Sequence, residues 1–213
     1  MTRIVNAETV FSMSKRARTL LFWRIVLSAV WPKLLLGLVA VAVVYVSVIS
    51  APGTIGFLAA GLALVMLAIA VIDWRSFIIP NWLNAAGLGL ALVHAAAQEP
   101  DMMTRAVAMA IMRGVALGLI FFALRYVYAK FRGRQGLGLG DVKLALVAGA
   151  WLDWLMIPIA IELAAFAALS AYLLQQFTSG RPITATNRMP FGLFFAPAIW
   201  ICWVLEARWL ETF

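Results

Sequence analysis

Residues Gly136 to Trp151 read GLGLGDVKLALVAGAW, and the order of chemistry in them decides the fold. Three alternating glycines, Gly136, Gly138 and Gly140, lead to a single acid, Asp141, which opens directly onto an apolar run of membrane character. A second acid, Asp73, closes another apolar run in AVIDWRSFIIPNW, residues 70 to 82. An ionisable group at membrane depth is costly and marks a functional site by default. Each acid alone also has a structural reading: Asp141 as a helix N-cap ahead of VKLAL, and Asp73 as a headgroup-level neighbour of Arg75.

The composition around these stretches is that of a membrane protein. The 213 residues are 65% hydrophobic and 12% charged, with a mean hydropathy of +0.98, well beyond the apolar share of a soluble domain. This predicts an all-α, polytopic integral membrane protein whose permanent partner is the lipid bilayer. The net charge of +8 does not point to nucleic acid, because the basic residues are scattered between apolar spans and not gathered on one face. Lys and Arg kept on cytoplasmic loops explain the same excess. Cys202 is the single cysteine, so no intrachain disulfide and no cysteine zinc site is expected, and no metal or other cofactor is called for.

Residues 1–33 read as a cytosolic N-terminus followed by an interfacial helix. Thr19 to Trp31 is apolar but interrupted by Arg24, closed by Pro32 and too short to span. Residues 34–213 read as one transmembrane domain, with spans near 34–50, 55–73, 82–97, 105–127, 142–156, 157–177 and 191–209. Asp153, Trp154 and Pro158 mark the turn between the fifth and sixth spans, which read as a tight helical hairpin, for six to seven membrane helices in all. With the N-terminus in the cytosol, every Lys and Arg except Arg105, Arg113 and Arg208 falls on or beside a cytosolic segment, while Glu99, Asp101, Asp153, Glu206 and Glu211 lie outside. Trp31, Trp74 and Trp82 then mark the cytosolic interface, and Trp151, Trp154 and Trp209 the outer one.

That topology brings Asp73 and Asp141 to one membrane face despite their distance in sequence. Two carboxyls held together do not both ionise easily, and such a pair shares a proton: the ionised member activates water while the protonated one polarises a peptide carbonyl. Gly138 and Gly140 remove side chains where the chain approaches Asp141. A phosphate loop is disfavoured, since no Walker Gly-Lys-Ser/Thr follows and a carboxylate at the helix start repels phosphate. Lys143 reads as a cation that either acts on an aspartate or snorkels to the interface. Pro80 and Asn81 end the loop after Asp73, proline by blocking helix continuation and Asn81 as an N-cap for the next span.

Together these motifs resemble the bacterial type IV prepilin peptidases, the GxGD aspartic proteases of the membrane. The resemblance rests on Asp73 to Asn81 with Ile79-Pro80-Asn81, on Gly138 to Leu144 with Gly149, and on Pro190-Phe191-Gly192, and it covers about residues 57 to 210. It implies that Asp73 and Asp141 are the catalytic pair, in a bacterial inner-membrane endopeptidase that cleaves the basic leader of prepilins or pseudopilins on the cytosolic side. The short form is similar to the peptidases of tight-adherence (Flp) pili. With Cys202 alone, the paired-cysteine zinc module of long members is not expected, and the N-methylation that many of them perform is not carried over. Leu193 stands where the family commonly has a proline.

Two readings from other classes compete. Intramembrane carboxylates also serve ion-coupled transporters as proton relays, though no internal repeat is found. A non-catalytic pilus or secretion assembly protein could use the small-residue faces of Ala85, Ala86, Gly87 and Gly89, and of Gly114 and Gly118, for helix contacts. Elsewhere, Arg113 and Glu162 read as a structural ion pair and His94 as a packed histidine. Oligomeric state is not set by the sequence.

Overall fold

A computed structural model describes residues 15–133, 136–179 and 190–210. The polar N-terminal arm, Arg134, Arg181, Arg188, Glu211 and the side chain of Trp209 lie outside the described residues. Seven α-helices and one short 3-10 turn make up the described chain, with no strand among those residues. We number them α1 (Lys15–Ser50), α2 (Thr54–Ser76), α3 (Asn81–Gln98), α4 (Met103–Arg132), α5 (Leu139–Trp151), α6 (Met156–Ser179) and α7 (Gly192–Leu210), with the 3-10 turn at Pro100–Met102.

The chain divides into two compact units, Met1–Ala42 and Val43–Phe213. In the first, α1 runs through Pro32 without ending, where the sequence predicted an interfacial helix closed there. Proline deletes one backbone hydrogen bond, and an apolar helix of this length carries that loss.

The second unit holds the helix bundle. By length and hydropathy, Trp31–Ser50, Thr54–Ser76, Pro100–Arg132 and Met156–Phe177 are long and apolar enough to cross a membrane. At 18 and 19 residues, α3 and α7 reach about 27 to 29 Å, close to the roughly 30 Å of a hydrocarbon core. The 13 residues of α5 reach only about 20 Å. Apolar helices this short belong in protein cores: Val142, Leu144, Ala145 and Val147 through Trp151 are all buried.

The predicted hairpin of the fifth and sixth spans is therefore corrected. The turn lies where expected, with the Asp153 carbonyl accepting from the Met156 and Ile157 amides. Beyond it the helices separate: α5 packs on α4, α3 and α7, and α6 on α7. Small residues decide this choice. A Cβ at Gly149 would lie 2.5 Å from the Arg113 carbonyl oxygen, and one at Gly118 would lie 2.4 Å from a Leu146 methyl, so α4 and α5 approach more closely than side chains allow. Gly87 meets Val147 in the same way, whereas Gly89, Ala85 and Ala86 face outward. Leu62, Met66 and Ile69 of α2, Leu144 and Val147 of α5, and Phe195 and Ile199 of α7 form the most deeply buried layer. Trp200 donates to Ser47 Oγ at 2.9 Å, joining α7 to the end of α1.

Candidate active site

Antiparallel α4 and α5 give the bundle two ends. One gathers the end of α2, the loop into α3, the glycines before α5 and the start of α7. Asp73 lies in the last turn of α2, which closes at Phe77 in the left-handed region (φ 54°) with its amide on the Asp73 carbonyl. The side chain of Asp73 is buried, 5% exposed. Its Oδ2 accepts the Leu193 amide at 3.0 Å, and the neighbouring Gly192 amide also acts on the carboxyl. The Pro190-Phe191-Gly192 segment therefore starts α7 against a carboxyl, where the unpaired first amides of a helix find their acceptor.

Asp141 stands in the first turn of α5, half-buried, and its Oδ2 accepts the Gly138 amide at 3.1 Å. The N-cap of α5 is Gly138 and Asp141 stands at N3, so Asp141 is not the N-cap expected of it but the acceptor of the N-cap amide. The two carboxyls lie near enough to interact electrostatically.

Ile79 is the spacer of the site. It is buried at 8% exposure; a Cβ on Gly140 would lie 3.0 Å from its Cβ, and one on Gly192 would lie 2.7 Å from its Cδ1 and 2.8 Å from Asp73 Oδ2. One isoleucine thus touches the glycine before Asp141 and the glycine beside Asp73; a side chain is tight at the first place and forces a shift at the second. Gly138 is tight for a related reason, its missing Cβ standing 3.0 Å from Asp141 Oδ2.

Two expectations are corrected here. Asn81 opens α3 without capping it; the N-cap position is Pro80 and no side-chain cap bond forms. Instead, Asn81 Oδ1 accepts Lys143 Nζ at 2.7 Å. The bond joins the Asp73 loop to the Asp141 helix, so the partner of Lys143 is Asn81 and not an aspartate. At the loop before α5, Arg125 donates to the Leu137 carbonyl, and a Cβ on Gly136 would meet the Tyr128 ring.

The other polar residues collect at the opposite end. Arg113 pairs with Asp153 at 3.1 Å and also donates to the Gly149 carbonyl, while Glu162 is exposed on α6, so the expected Arg113–Glu162 pair does not form. His94 is buried and stacked on Trp151 at 4.3 Å between ring centroids, the packed histidine that was expected. Trp151 is thereby a core residue and no belt tryptophan, whereas Trp31, Trp74, Trp82 and Trp154 are exposed. Among the described residues no group of three or more His, Cys, Asp or Glu is placed to hold a metal. Ile79, Gly192 and Leu193 were in the motifs but carried no predicted contact; an apolar run preceded by Pro-Phe-Gly signals a helix start, and nothing in it signals what the freed amides bind.

Fold and site define a class: an all-helical membrane protein with two interacting carboxyls at one end of its bundle. Residues 60–173 match the type IV leader peptidase family, and the chain belongs to that family. It is 30% identical over 185 residues to the prepilin leader peptidase/N-methyltransferase of Aeromonas hydrophila, covering 82% of this chain and 58% of that protein. The protein of the same name from Dickeya chrysanthemi is 33% identical over 112 residues, covering 53% and 38%. Leader peptidase HopD of Escherichia coli is 31% identical over 127 residues, covering 59% and 78%. The chain spans about half the length of the longer curated relatives it matches. No solved structure matches it.

Proposed function

We propose that this protein is a membrane-embedded aspartic endopeptidase that removes the leader peptide of type IV prepilins or pseudopilins, of the Flp kind, at the cytosolic face of the bacterial inner membrane, with its own N-terminus in the cytosol. The observation that carries the proposal is the meeting of Asp73 and Asp141, from helices far apart in sequence, around one shared spacer. Two carboxyls so placed perform general acid and base steps without a cofactor. The ionised member takes a proton from water as the water oxygen attacks the scissile carbonyl carbon. The protonated member donates to the carbonyl oxygen. When the tetrahedral adduct collapses, the C–N bond breaks and the departing amine takes up a proton from the pair.

The remaining contacts serve alignment. Lys143 on Asn81, and Ile79 between two glycines, hold both acid-bearing segments in one register, and sub-ångström placement of reacting groups governs rate. Methyl transfer, named for the relatives, is not part of this proposal. The test is co-expression with an Flp-type prepilin, scoring the mass of the pilin. Wild type is expected to release the leader, and Asp73→Asn or Asp141→Asn to leave it attached while still inserting in the membrane. Leader retained with wild type across several prepilins would overturn the proposal.

A further inference from the structure

Asp73 and Asp141 are not equivalent in their surroundings. Asp73 is almost fully enclosed, and two backbone amides at the start of α7 converge on it, the Leu193 amide at 3.0 Å from Oδ2 and the Gly192 amide beside it. Asp141 is less deeply buried and takes one amide, that of Gly138, from its own helix start. Backbone amides only donate, so they bond a carboxylate oxygen better than a protonated one, and the first turn of a helix adds a favourable dipole. The missing Cβ of Gly192 lets the carboxyl come this close: that space is already filled by Asp73 Oδ2 and the Ile79 methyl.

We infer that the start of α7 holds Asp73 as the ionised member of the pair, the base that takes the proton of water, and that the Leu193 main-chain amide is a positioning group for this state; Asp141 is then the proton donor to the scissile carbonyl. The inference rests on the peptidase reading and deepens it by assigning the two roles. Across the site, the charge of Asp73 on α2 acts on Asp141 on α5. Lys143 on α5 is engaged with Asn81, and Arg75 lies on the helix of Asp73 itself.

Leu193 is where the amide can be removed by itself. It is the second residue of α7, where the helix does not use its own amide, and proline is accepted in the first turn. Gly192 before it has no Cβ to clash with a proline ring. Leu193→Pro therefore deletes the donor, and Leu193→Ala trims the side chain and keeps it. As a second deletion independent of proline, α-hydroxyleucine incorporated at 193 replaces the amide by an ester and preserves the side chain.

The experiment is the pH dependence of kcat/KM for prepilin cleavage by the purified full-length protein in detergent, with folding followed by gel filtration. Leu193→Pro and the 193 ester are expected to move the acidic limb to higher pH, so that kcat/KM at the acidic end falls by about tenfold, the scale of one charge-assisted hydrogen bond. Leu193→Ala, which keeps the amide, is expected to leave the acidic limb at its wild-type pH whatever its effect on the absolute rate. An acidic limb unmoved in both deletions, a shift on the alkaline limb instead, or an equal shift in Leu193→Ala would overturn the inference. Wild-type protein that cleaves no prepilin at any pH would fail the peptidase reading itself, a result distinct from these.

Discussion

Asn81 and Lys143 illustrate what one side-chain bond contributes at the residue scale. At 2.7 Å it links the loop carrying Asp73 to the helix carrying Asp141, and a hydrogen bond to a charged group contributes about 1.5–3 kcal/mol. Asn81→Ala and Lys143→Met are each expected to lower kcat/KM roughly tenfold, with the double variant no worse than either single one, since both remove the same bond. Additive losses would show that the two residues act separately. Gly192 is less tolerant. Its Cβ would lie 2.8 Å from Asp73 Oδ2, so Gly192→Ala is expected to displace the carboxyl and reduce cleavage by at least about a hundredfold, as misplacement of a reacting group by about 1 Å does. Near-normal turnover by that variant would contradict the packing described. The acids were legible as residues because a carboxyl in an apolar chain stands out. The amide of Leu193 was not, since every residue except proline carries the same donor.

For the helices, close approach sets the arrangement. The Gly149 position lies against the Arg113 backbone, which has no side chain to move aside. Gly149→Ala is expected to destabilise the folded protein by about 1–3 kcal/mol, read as a lower unfolding temperature in detergent; an unchanged temperature would mean that α4 and α5 separate freely. Asn84 gives the opposite expectation. It is buried on α3 with neither amide atom bonded, so Asn84→Leu is expected to raise the unfolding temperature by removing an unmet polar group. Element existence was readable from hydropathy, but partner choice was not. Chain proximity favoured pairing α5 with α6, whereas the glycines that join α5 to α4 speak only when both helices are seen side by side. The same geometry explains Arg113: Asp153 follows the helix packed against α4, while Glu162 faces outward from α6.

Across the whole molecule, the two polar ends carry different chemistry, with Asp73, Asp141, Asn81 and Lys143 at one and the Arg113–Asp153 pair, His94 and Glu206 at the other. The proposed topology, with Lys and Arg kept on cytosolic segments, puts the first end in the cytosol. Alkaline phosphatase fused after Asp101 is therefore expected to be active, and after Gly133 inactive; the reverse pattern would turn the site to the outer face and remove it from a cytosolic leader. In the proposed mechanism the bundle delivers two carboxyls as a unit, and units of this kind fail non-additively. The most direct measurement is single-turnover cleavage of an Flp-type prepilin by wild type, Asp73→Asn, Asp141→Asn and the double variant in one detergent preparation. Each single variant is predicted to lose as much activity as the double. A single variant that keeps a substantial rate, with the double far slower, would show that the acids work independently and would contradict the account.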